Sequence, residues 1–428
     1  MMQPRTIAAH TLGCKLNFAE TSQLLRQAEE EGYRVVDFHE KADVYVINTC
    51  TVTATAERKC RTVIRQAVHQ NRDAVVAVVG CFAQNDAAQI RQIEGVTLVL
   101  GNEDKHRLLD ILGQRAPQPV AVSEPRSFLP AYSGDDRTRT FFKVQDGCDY
   151  FCTYCAIPRA RGRSRSADVA TTMAVAQRIA DSGAKEVVLT GVNTGTFGQH
   201  TGESLMQLMQ QLDLLPGIER FRISSIEPNL LTSEMIRFVA NSRHFAPHFH
   251  IPLQAGSDKV LRLMHRRYST AEYADKLFYI RSLMPDACIA ADVMVGFNGE
   301  DEATFEQTVD FLTQLPLSYL HVFPYSERPG TAALGMAERV PREERYRRSA
   351  VLHQLSDAKK RAFYTQGEGK VHRVLWEAHN HGGCMLGFTG NYLRARHPYD
   401  PALVGTVQQV RLQTFHSEEE LFDVALTE

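Results

Sequence analysis

Long apolar runs are missing from this chain of 428 residues, and no stretch approaches the ~20 residues that a membrane-spanning helix needs. The first residues, MMQPRTIAAHTLGC, lack the charged-then-apolar pattern of a secretory signal. A strong net charge is missing too: the balance of −2 excludes a uniformly basic surface for nucleic acid, though not a local one. We therefore expect a cytoplasmic protein with no membrane contact, whose nine cysteines are thiols or ligands rather than disulfides.

The composition, with 43% hydrophobic and 23% charged residues, is that of a globular protein, and the length predicts roughly two to four domains. Proline and glycine are dense between residues 119 and 138, which predicts an irregular linker. We divide the chain into an α/β domain at 1–118, the linker at 119–138, a central domain at 139–366 and a terminal domain at 367–428.

Three cysteines with CxxxCxxC spacing lie in the stretch DGCDYFCTYCAIPRARGRSR, namely Cys148, Cys152 and Cys155. A structural zinc site usually has four Cys or His ligands, yet no histidine lies between these cysteines or within the forty residues that follow. An iron–sulfur cluster normally takes four thiolates, so three would leave one iron open for another ligand. The alternative is a cluster of merely buried or disulfide-prone thiols.

Three further cysteines follow predicted strands of the first domain. Strand-like runs at 6–12, 44–48 and 74–79 alternate with helical patterns at 18–31 and 54–69, which predicts a parallel α/β sheet. Cys14, Cys50 and Cys81 each come one or two residues after one of these strands. Because the carboxyl ends of parallel strands share one edge, we expect a second metal site there. Cys60 lies inside a helical run, and we interpret it as a packing thiol.

Six strand-like runs, spaced by about 36 residues and separated by helical segments, predict a partial (β/α)₆ barrel in the central domain. Active sites of such barrels lie at the carboxyl ends of the strands, where the CxxxCxxC loop follows the first strand. We expect cofactor contacts from polar or small residues near the ends of the other strands: Gly191, Asn193, Ser224, Glu227, Gln254 and Asp292. The alternative for each residue is an ordinary turn or strand-end polar group. Cys288 begins a strand and is expected to pack.

Two groups of arginines are candidate RNA contacts. Arg159, Arg161, Arg163 and Arg165 alternate along a stretch that we expect to be extended, where they would bind phosphates or, alternatively, form surface ion pairs. A long basic helix at 341–370 precedes five short strand-like runs, which predict a small antiparallel β-barrel of a kind that often binds nucleic acid. Arg394 and Arg396 share one face of a strand in this barrel.

Taken together, the motifs resemble those of the radical S-adenosylmethionine (SAM) methylthiotransferases over nearly the whole chain. They are LGCKLN, NTCTVT, VGCFAQ, DGCDYFCTYCAIPRARGR, HIPLQAGSD, DVMVGFNGE and YSERPGT. Gln254-Ala255-Gly256 departs from the usual Gln-Ser-Gly. Lys15-Leu16-Asn17 most resembles the branch that adds a methylthio group to C2 of N6-threonylcarbamoyladenosine at tRNA position 37, next to the anticodon. The alternatives within the family are isopentenyl adenosine and a ribosomal-protein aspartate.

The resemblance implies two [4Fe-4S] clusters. Cys14, Cys50 and Cys81 would hold an auxiliary cluster that carries or delivers sulfur, and Cys148, Cys152 and Cys155 would hold the cluster that binds SAM. One SAM would donate the methyl group and a second would be the radical source. The resemblance also implies a TRAM-type terminal barrel, a tRNA substrate, a flavodoxin- or ferredoxin-like reductant and a sulfur donor. The alternative of another class is a non-catalytic, zinc-bound nucleic-acid-binding adaptor.

Overall fold

The structure is a computed structural model that describes residues 5–113, 121–134 and 138–427. The expected boundary between residues 118 and 119 lies outside the described residues, as do parts of the expected linker. Within residues 121–134 a short strand, β6, pairs antiparallel with the first long strand of the central domain.

The first domain is a five-stranded, wholly parallel sheet in the order β2-β1-β3-β4-β5. Its strands are β1 Thr6–Thr11, β2 Arg34–Val35, β3 Val44–Thr49, β4 Val75–Gly80 and β5 Leu98–Leu100. Its helices are α1 Lys15–Glu30, α2 Ala54–Gln70, α3 Cys81–Arg91 and α4 Leu108–Leu112. The three strands predicted from the sequence are adjacent, and β2 and β5 are short additions at the two edges.

Helices cover both faces of this sheet, which is why its central strand is continuously apolar. All six residues of β3 are buried. Val44 and Val46 pack with α1 and α4 on one face, while Tyr45 and Ile47 pack with α2 and α3 on the other. Cys60 belongs to the second face: it is fully buried on α2, and its sulfur accepts a hydrogen bond from the backbone N–H of Cys50 at 3.4 Å.

The central domain is an open barrel of six parallel strands with helices outside. The six parallel strands are β7 Arg139–Lys143, β8 Glu186–Thr190, β9 Arg220–Ile223, β10 His248–His250, β11 Cys288–Val295 and β12 Tyr319–Pro324, and the short antiparallel strand β6 Ala131–Tyr132 lies beside β7. Its helices are α5 Ile157–Arg161, α6 Val169–Asp181, α7 Leu205–Asp213, α8 Ser233–Asn241, α9 Asp258–Leu263, α10 Thr270–Leu283 and α11 Glu302–Gln314. Strands β9 and β10 do not form a continuous ladder. They are linked by an isolated β-bridge between Phe221 and Phe245 and by a hydrogen bond from the Ile226 N–H to the His250 carbonyl.

The terminal domain follows the basic helix α12 Arg342–Thr365 and forms a closed five-stranded barrel in the order β13-β14-β15-β17-β16. Its strands are β13 Val371–Trp376, β14 Cys384–Thr389, β15 Arg394–Pro398, β16 Val407–His416 and β17 Leu421–Leu426. The ladder between β15 and β17 is parallel, whereas the sequence predicted only antiparallel pairing. Five strands in a closed ring cannot all alternate in direction, so one parallel ladder is required.

This terminal barrel covers the amino ends of the central strands, opposite the loop with the CxxxCxxC spacing. Arg220 donates to the carbonyls of Phe388 and Arg373 at 3.1 and 2.9 Å, and Arg139 donates to the Tyr392 hydroxyl at 2.8 Å. The predicted α/β class, with its parallel sheet, partial six-stranded barrel and small terminal barrel, is confirmed.

Candidate active site

The loop after β7 gathers three thiols, which we call the loop cysteines: Cys148, Cys152 and Cys155. The backbone closes this loop on itself, since Asp146 and Arg165 exchange two hydrogen bonds of 2.9 Å. Gly147 has a φ of +70°, and a Cβ there would overlap the carbonyl oxygen of Arg163. The loop can therefore close in this form only with glycine at that position.

The loop cysteines influence one another. Burial raises the pKa of the Cys148 thiol to about 11 and that of Cys155 to about 12, and the neighbouring Cys152 contributes to both shifts. Because a metal binds the thiolate, metal binding at this site would displace protons that the buried thiols otherwise keep.

A second set, the edge cysteines, follows the strands of the first domain: Cys14, Cys50 and Cys81. Gly13 has a φ of +103°, and a Cβ there would lie 2.7 Å from the Cβ of Cys50, so the first two loops touch. Burial raises the pKa of Cys50 to about 12, and both other edge cysteines add to that shift. The sheet thus brings together three thiols that are far apart in the sequence.

Neither set is spaced for a single zinc ion. Bonds of 2.3 Å in tetrahedral geometry would hold the sulfurs about 3.8 Å apart. Among the described residues, no three cysteine sulfurs all lie within 4.8 Å of one another. A four-iron cluster binds each thiolate to a different iron and holds the sulfurs further apart, and three cysteines would leave one of its irons without a cysteine ligand.

The two cysteine sets meet where α5, which follows Cys155, packs on α3, which begins at Cys81. The amide of Asn102 bridges the two helices: its nitrogen donates to the carbonyl of Ala160 at 2.7 Å and lies 3.7 Å from the Cys81 sulfur. Asn102 thus links the edge thiol Cys81 to the helix that follows the loop cysteines across the boundary between the two domains.

A buried ion cluster, the junction network, fixes this arrangement. Its members are Glu20 and Lys105 of the first domain and Lys143, Asp146 and Arg161 of the central domain. Burial alone would raise the pKa of Glu20, but the charges of Arg161, Lys105 and Lys143 hold it well below its usual value. Ions removed from water this completely require their partners, so the network ties the domains together.

Five of the six predicted cofactor contacts lie after the carboxyl ends of β8, β9 and β10, near the loop cysteines: Gly191, Asn193, Ser224, Glu227 and Gln254. Asn193 is buried beside Cys148, and the polar contact of its side chain with that thiol opposes the rise in the pKa of Cys148 that burial causes. Gln254 has a φ of +70°, a conformation that costs free energy in a residue other than glycine and is common at binding sites.

Arg266 was not predicted from the sequence, yet it touches the loop cysteines directly. Its guanidinium donates to the sulfur of Cys152 at 3.1 Å and forms an ion pair with Glu227. Glu227 therefore orients an arginine against one of the loop thiols. No spacing pattern in the sequence marked Arg266 for this position.

Asp292, the sixth predicted contact, lies deeper, in the space enclosed by the central strands, which we call the barrel chamber. One oxygen of its carboxylate accepts hydrogen bonds from His250 at 2.7 Å and from His321 at 3.0 Å. His321 could have been predicted from the sequence, because along β12 it alternates with apolar Leu320 and Val322, which are buried on the other face of the strand.

Lys15, which directly follows Cys14, also lines the barrel chamber. Its side chain is accessible to water, yet burial and the charges of Arg222 and Arg139 lower its pKa to about 8. Water reaches the Lys15 side chain although it is surrounded by protein, because Lys15 faces an internal space rather than the outer surface. Its ammonium lies 6.0 Å from the centre of the Phe141 ring of β7, so the first domain reaches into the central barrel.

The predicted RNA-binding arginines are not equivalent. Residues 157–161 form α5 rather than an extended stretch, and Arg161 is 1% exposed within the junction network. Its position does not support a contact with RNA. Arg165 is half-buried against Asp146, whereas Arg159 and Arg163 are exposed.

Arg394 and Arg396 lie on β15 of the terminal barrel, and Arg396 is paired with Asp423 and Glu419 at 2.9 and 2.6 Å. That barrel covers the amino ends of the central strands, so the structure does not bring these two residues together with the arginines beside the loop cysteines.

Within the described residues, no helix is both long and apolar enough to cross a membrane. The sequence profile described as "Radical SAM superfamily" matches residues 142–312, and that of "Uncharacterized protein family UPF0004" matches residues 6–101. The first range contains the loop cysteines and the second contains the edge cysteines.

Curated relatives match almost the whole chain. It is 38% identical over 423 residues to the threonylcarbamoyladenosine tRNA methylthiotransferase MtaB of Bacillus subtilis, covering 95% of this chain and 93% of that protein. It is also 38% identical over 377 residues to the protein of that name from Aquifex aeolicus, covering 86% and 92%.

A solved structure shares the fold. The radical S-adenosylmethionine methyltransferase TsrM of Kitasatospora setae, determined with cobalamin and a [4Fe-4S] cluster bound, superimposes with a TM-score of 0.58 at 15% identity. The match covers 77% of each chain, and at this identity it bears on the fold alone.

Proposed function

The chain belongs to the threonylcarbamoyladenosine tRNA methylthiotransferases of the MtaB type, a family of radical SAM enzymes, and we therefore propose the reaction it catalyses. It adds a methylthio group to C2 of N6-threonylcarbamoyladenosine at tRNA position 37. One observation carries the proposal beyond the family name: the helix that follows the loop cysteines, α5, packs on α3, which begins at the edge thiol Cys81.

The donor sets fit the cofactors that this reaction needs. The loop cysteines would hold the [4Fe-4S] cluster whose open iron binds SAM, and the edge cysteines would hold the auxiliary cluster. When bound, these groups supply the electron, the methyl group and the sulfur. The protein's own contribution is to bind, orient and enclose them.

Several residues of the chain suit these tasks. The buried amide of Asn193 beside Cys148 is suited to bind polar groups of SAM, and Gly191, Ser224 and Gln254 follow the carboxyl ends of β8, β9 and β10 at the same end of the barrel. The Arg266 guanidinium donates to the Cys152 sulfur and would moderate the negative charge of a bound thiolate. The junction network keeps the two thiol sets in a fixed relation, which matters because a reaction between two bound groups depends strongly on their alignment.

The partners follow from the reaction. We propose that exposed Arg159 and Arg163 contact phosphates of the anticodon arm beside the loop cysteines, and that Arg394 and Arg396 give weaker contacts from the terminal barrel. A flavodoxin- or ferredoxin-like protein would supply electrons, and a separate donor would restore the sulfur. We place the reaction in the cytoplasm, where the thiol ligands stay reduced.

The decisive experiment is mass spectrometry of tRNA nucleosides from a strain that lacks this gene and any second such enzyme. We expect 2-methylthio-N6-threonylcarbamoyladenosine to disappear and its unmethylthiolated precursor to accumulate. Loss of the methylthio group from isopentenyl adenosine instead, or from a ribosomal-protein aspartate, would replace the proposed substrate. A colourless, zinc-loaded protein after anaerobic purification would support the non-catalytic adaptor and contradict the proposal.

A further inference from the structure

The barrel chamber contains a cation, Lys15, on which the charge of Asp292 acts only from a distance and which forms no ion pair with a described residue. Arg222 donates to Glu186 at 3.1 Å, and Arg139 contacts the Tyr392 hydroxyl at 2.8 Å and Glu377 at 3.7 Å. Lys15, in contrast, forms no hydrogen bond or ion pair among the described residues. An ammonium group withdrawn from bulk water without a partner is unfavourable, so this one is suited to an anion brought by a ligand.

The carboxylate of the chamber, Asp292, does not meet this need. Its charge is already engaged by His250 and His321, which both contact the same carboxylate oxygen. Neither carboxylate oxygen of Asp292 lies within ion-pairing distance of the Lys15 ammonium, so the two groups interact only at longer range. A second anion could therefore enter the chamber against Lys15 while the charge of Asp292 remains compensated by its own partners.

The position of Lys15 restricts which anion this can be. It is adjacent in the chain to Cys14, so its side chain extends from the same turn that presents an edge thiol. An anion bound to Lys15 must therefore belong to a group close to the atom that receives sulfur. In the proposed substrate, the threonylcarbamoyl group on N6 carries a free carboxylate, whereas an isopentenyl group carries no charge.

We propose that Lys15 binds the carboxylate of the threonylcarbamoyl group and so selects the substrate nucleoside. The inference rests on the proposed function and adds a specificity-determining residue to it. The chemistry is a charge-assisted hydrogen bond from the ammonium to a carboxylate in a partly desolvated space. Lys15 positions the base by this contact and takes no part in bond formation.

The test compares two anticodon stem-loops, one with N6-threonylcarbamoyladenosine and one with plain adenosine at position 37. Their binding to the anaerobically purified holoenzyme is measured for wild type, Lys15→Met and Lys15→Arg. Lys41→Met is the control, because Lys41 is exposed before the amino end of β3, on the edge of the sheet opposite Cys14.

We expect Lys15→Met to weaken binding of the modified loop by about ten- to a hundredfold, the value of one hydrogen bond to a charged group. Binding of the plain loop should not change, and Lys15→Arg should retain most of the preference. Iron content and SAM cleavage without RNA should equal those of wild type in all three variants.

Other outcomes overturn the assignment in distinguishable ways. Equal loss for both loops would place Lys15 on the RNA backbone, and altered SAM cleavage would place it on the methionyl carboxylate of SAM. Loss of iron would make it a partner of the auxiliary cluster. An unchanged preference would remove its role altogether. If the wild-type enzyme fails to methylthiolate the modified loop, that result contradicts the proposed function, independently of the binding results for the Lys15 variants.

Discussion

The loop cysteines and the edge cysteines offer the same number of thiols but are assembled in opposite ways. The loop cysteines lie within eight residues of one another, and a locally closed loop brings them together. The edge cysteines span 68 positions and meet only because three parallel strands end at one edge. The first site depends on loop geometry and the second on the fold of a whole domain, so damage to each should have different consequences.

Cys152→Ala should have the largest effect on catalysis. It removes a loop thiolate, so SAM cleavage and methylthio transfer should both fall below detection, and iron should drop to about four per chain from about eight. Product formation from SAM and iron content measure the two effects. Retained SAM cleavage would show that the loop cysteines do not hold the SAM-binding cluster.

Cys50→Ala should separate the two sites. SAM cleavage without RNA should continue because the loop cysteines remain, whereas methylthio transfer should stop and about four irons should be lost. Cys60→Ala is the matched control: Cys60 contacts Cys50 from α2, yet its loss should leave iron unchanged and cost about 1 kcal/mol of unfolding free energy. Loss of cleavage in Cys50→Ala, as complete as in Cys152→Ala, would refute two independent sites.

Gly147→Ala tests whether backbone closure builds the loop site. A Cβ would overlap the Arg163 carbonyl, so we expect loss of about four irons per chain while the edge site stays loaded. Gly183→Ala is the comparison, because Gly183 also has a positive φ, +84°, but no atom within 4 Å of the added carbon. Gly183→Ala should lower the free energy of unfolding by about 1 kcal/mol, because alanine disfavours the left-handed conformation, and it should leave the iron content unchanged. Equal iron loss in both variants would exclude the steric explanation.

Glu20→Gln tests the network that holds the two sites together. Removing this carboxylate leaves buried Lys105 without an ion-pair partner and leaves Lys143 and Arg161 with Asp146 alone, which should cost about 3 kcal/mol in unfolding free energy, measured by denaturant titration. Glu306→Gln, which alters an exposed carboxylate of α11 without an ion pair among the described residues, should change it by under about 0.5 kcal/mol.

Glu20 should also make the stability of the protein depend on pH in the acid range. Since the pKa of folded Glu20 is depressed, its stabilisation is complete above the unfolded value of about 4.3 and is lost as pH falls through the folded value. Glu20→Gln should lack this part of the acid dependence. Identical acid profiles for wild type and variant would contradict a structural role for the network.

Arg163→Ala should have the smallest effect, since it concerns binding alone. The Arg163 guanidinium is 68% exposed above the Phe151 ring, and losing one phosphate contact should weaken tRNA binding by about threefold and reduce its salt dependence. Binding assays at two salt concentrations measure both. An unchanged affinity with an unchanged salt slope would remove Arg163 from the RNA interface.

Local patterns in the sequence predicted much of this architecture. Strand–helix alternation gave the sheet and the partial barrel, and the positions of cysteines after strands gave the edge site. What local pattern could not reveal was contact between domains. Arg161 belongs to a run of alternating arginines, yet α5 turns its side chain into the junction network. Lys15 likewise looks like an ordinary helix-start residue, and only the packing of α1 against β7 directs it into the barrel chamber.

The most direct test of the two-site account is cluster counting by Mössbauer spectroscopy in a variant with all three loop cysteines replaced by alanine. The account predicts one remaining [4Fe-4S] cluster, held by Cys14, Cys50 and Cys81 in an otherwise folded first domain. A folded variant with no cluster, or one that still held two, would contradict it.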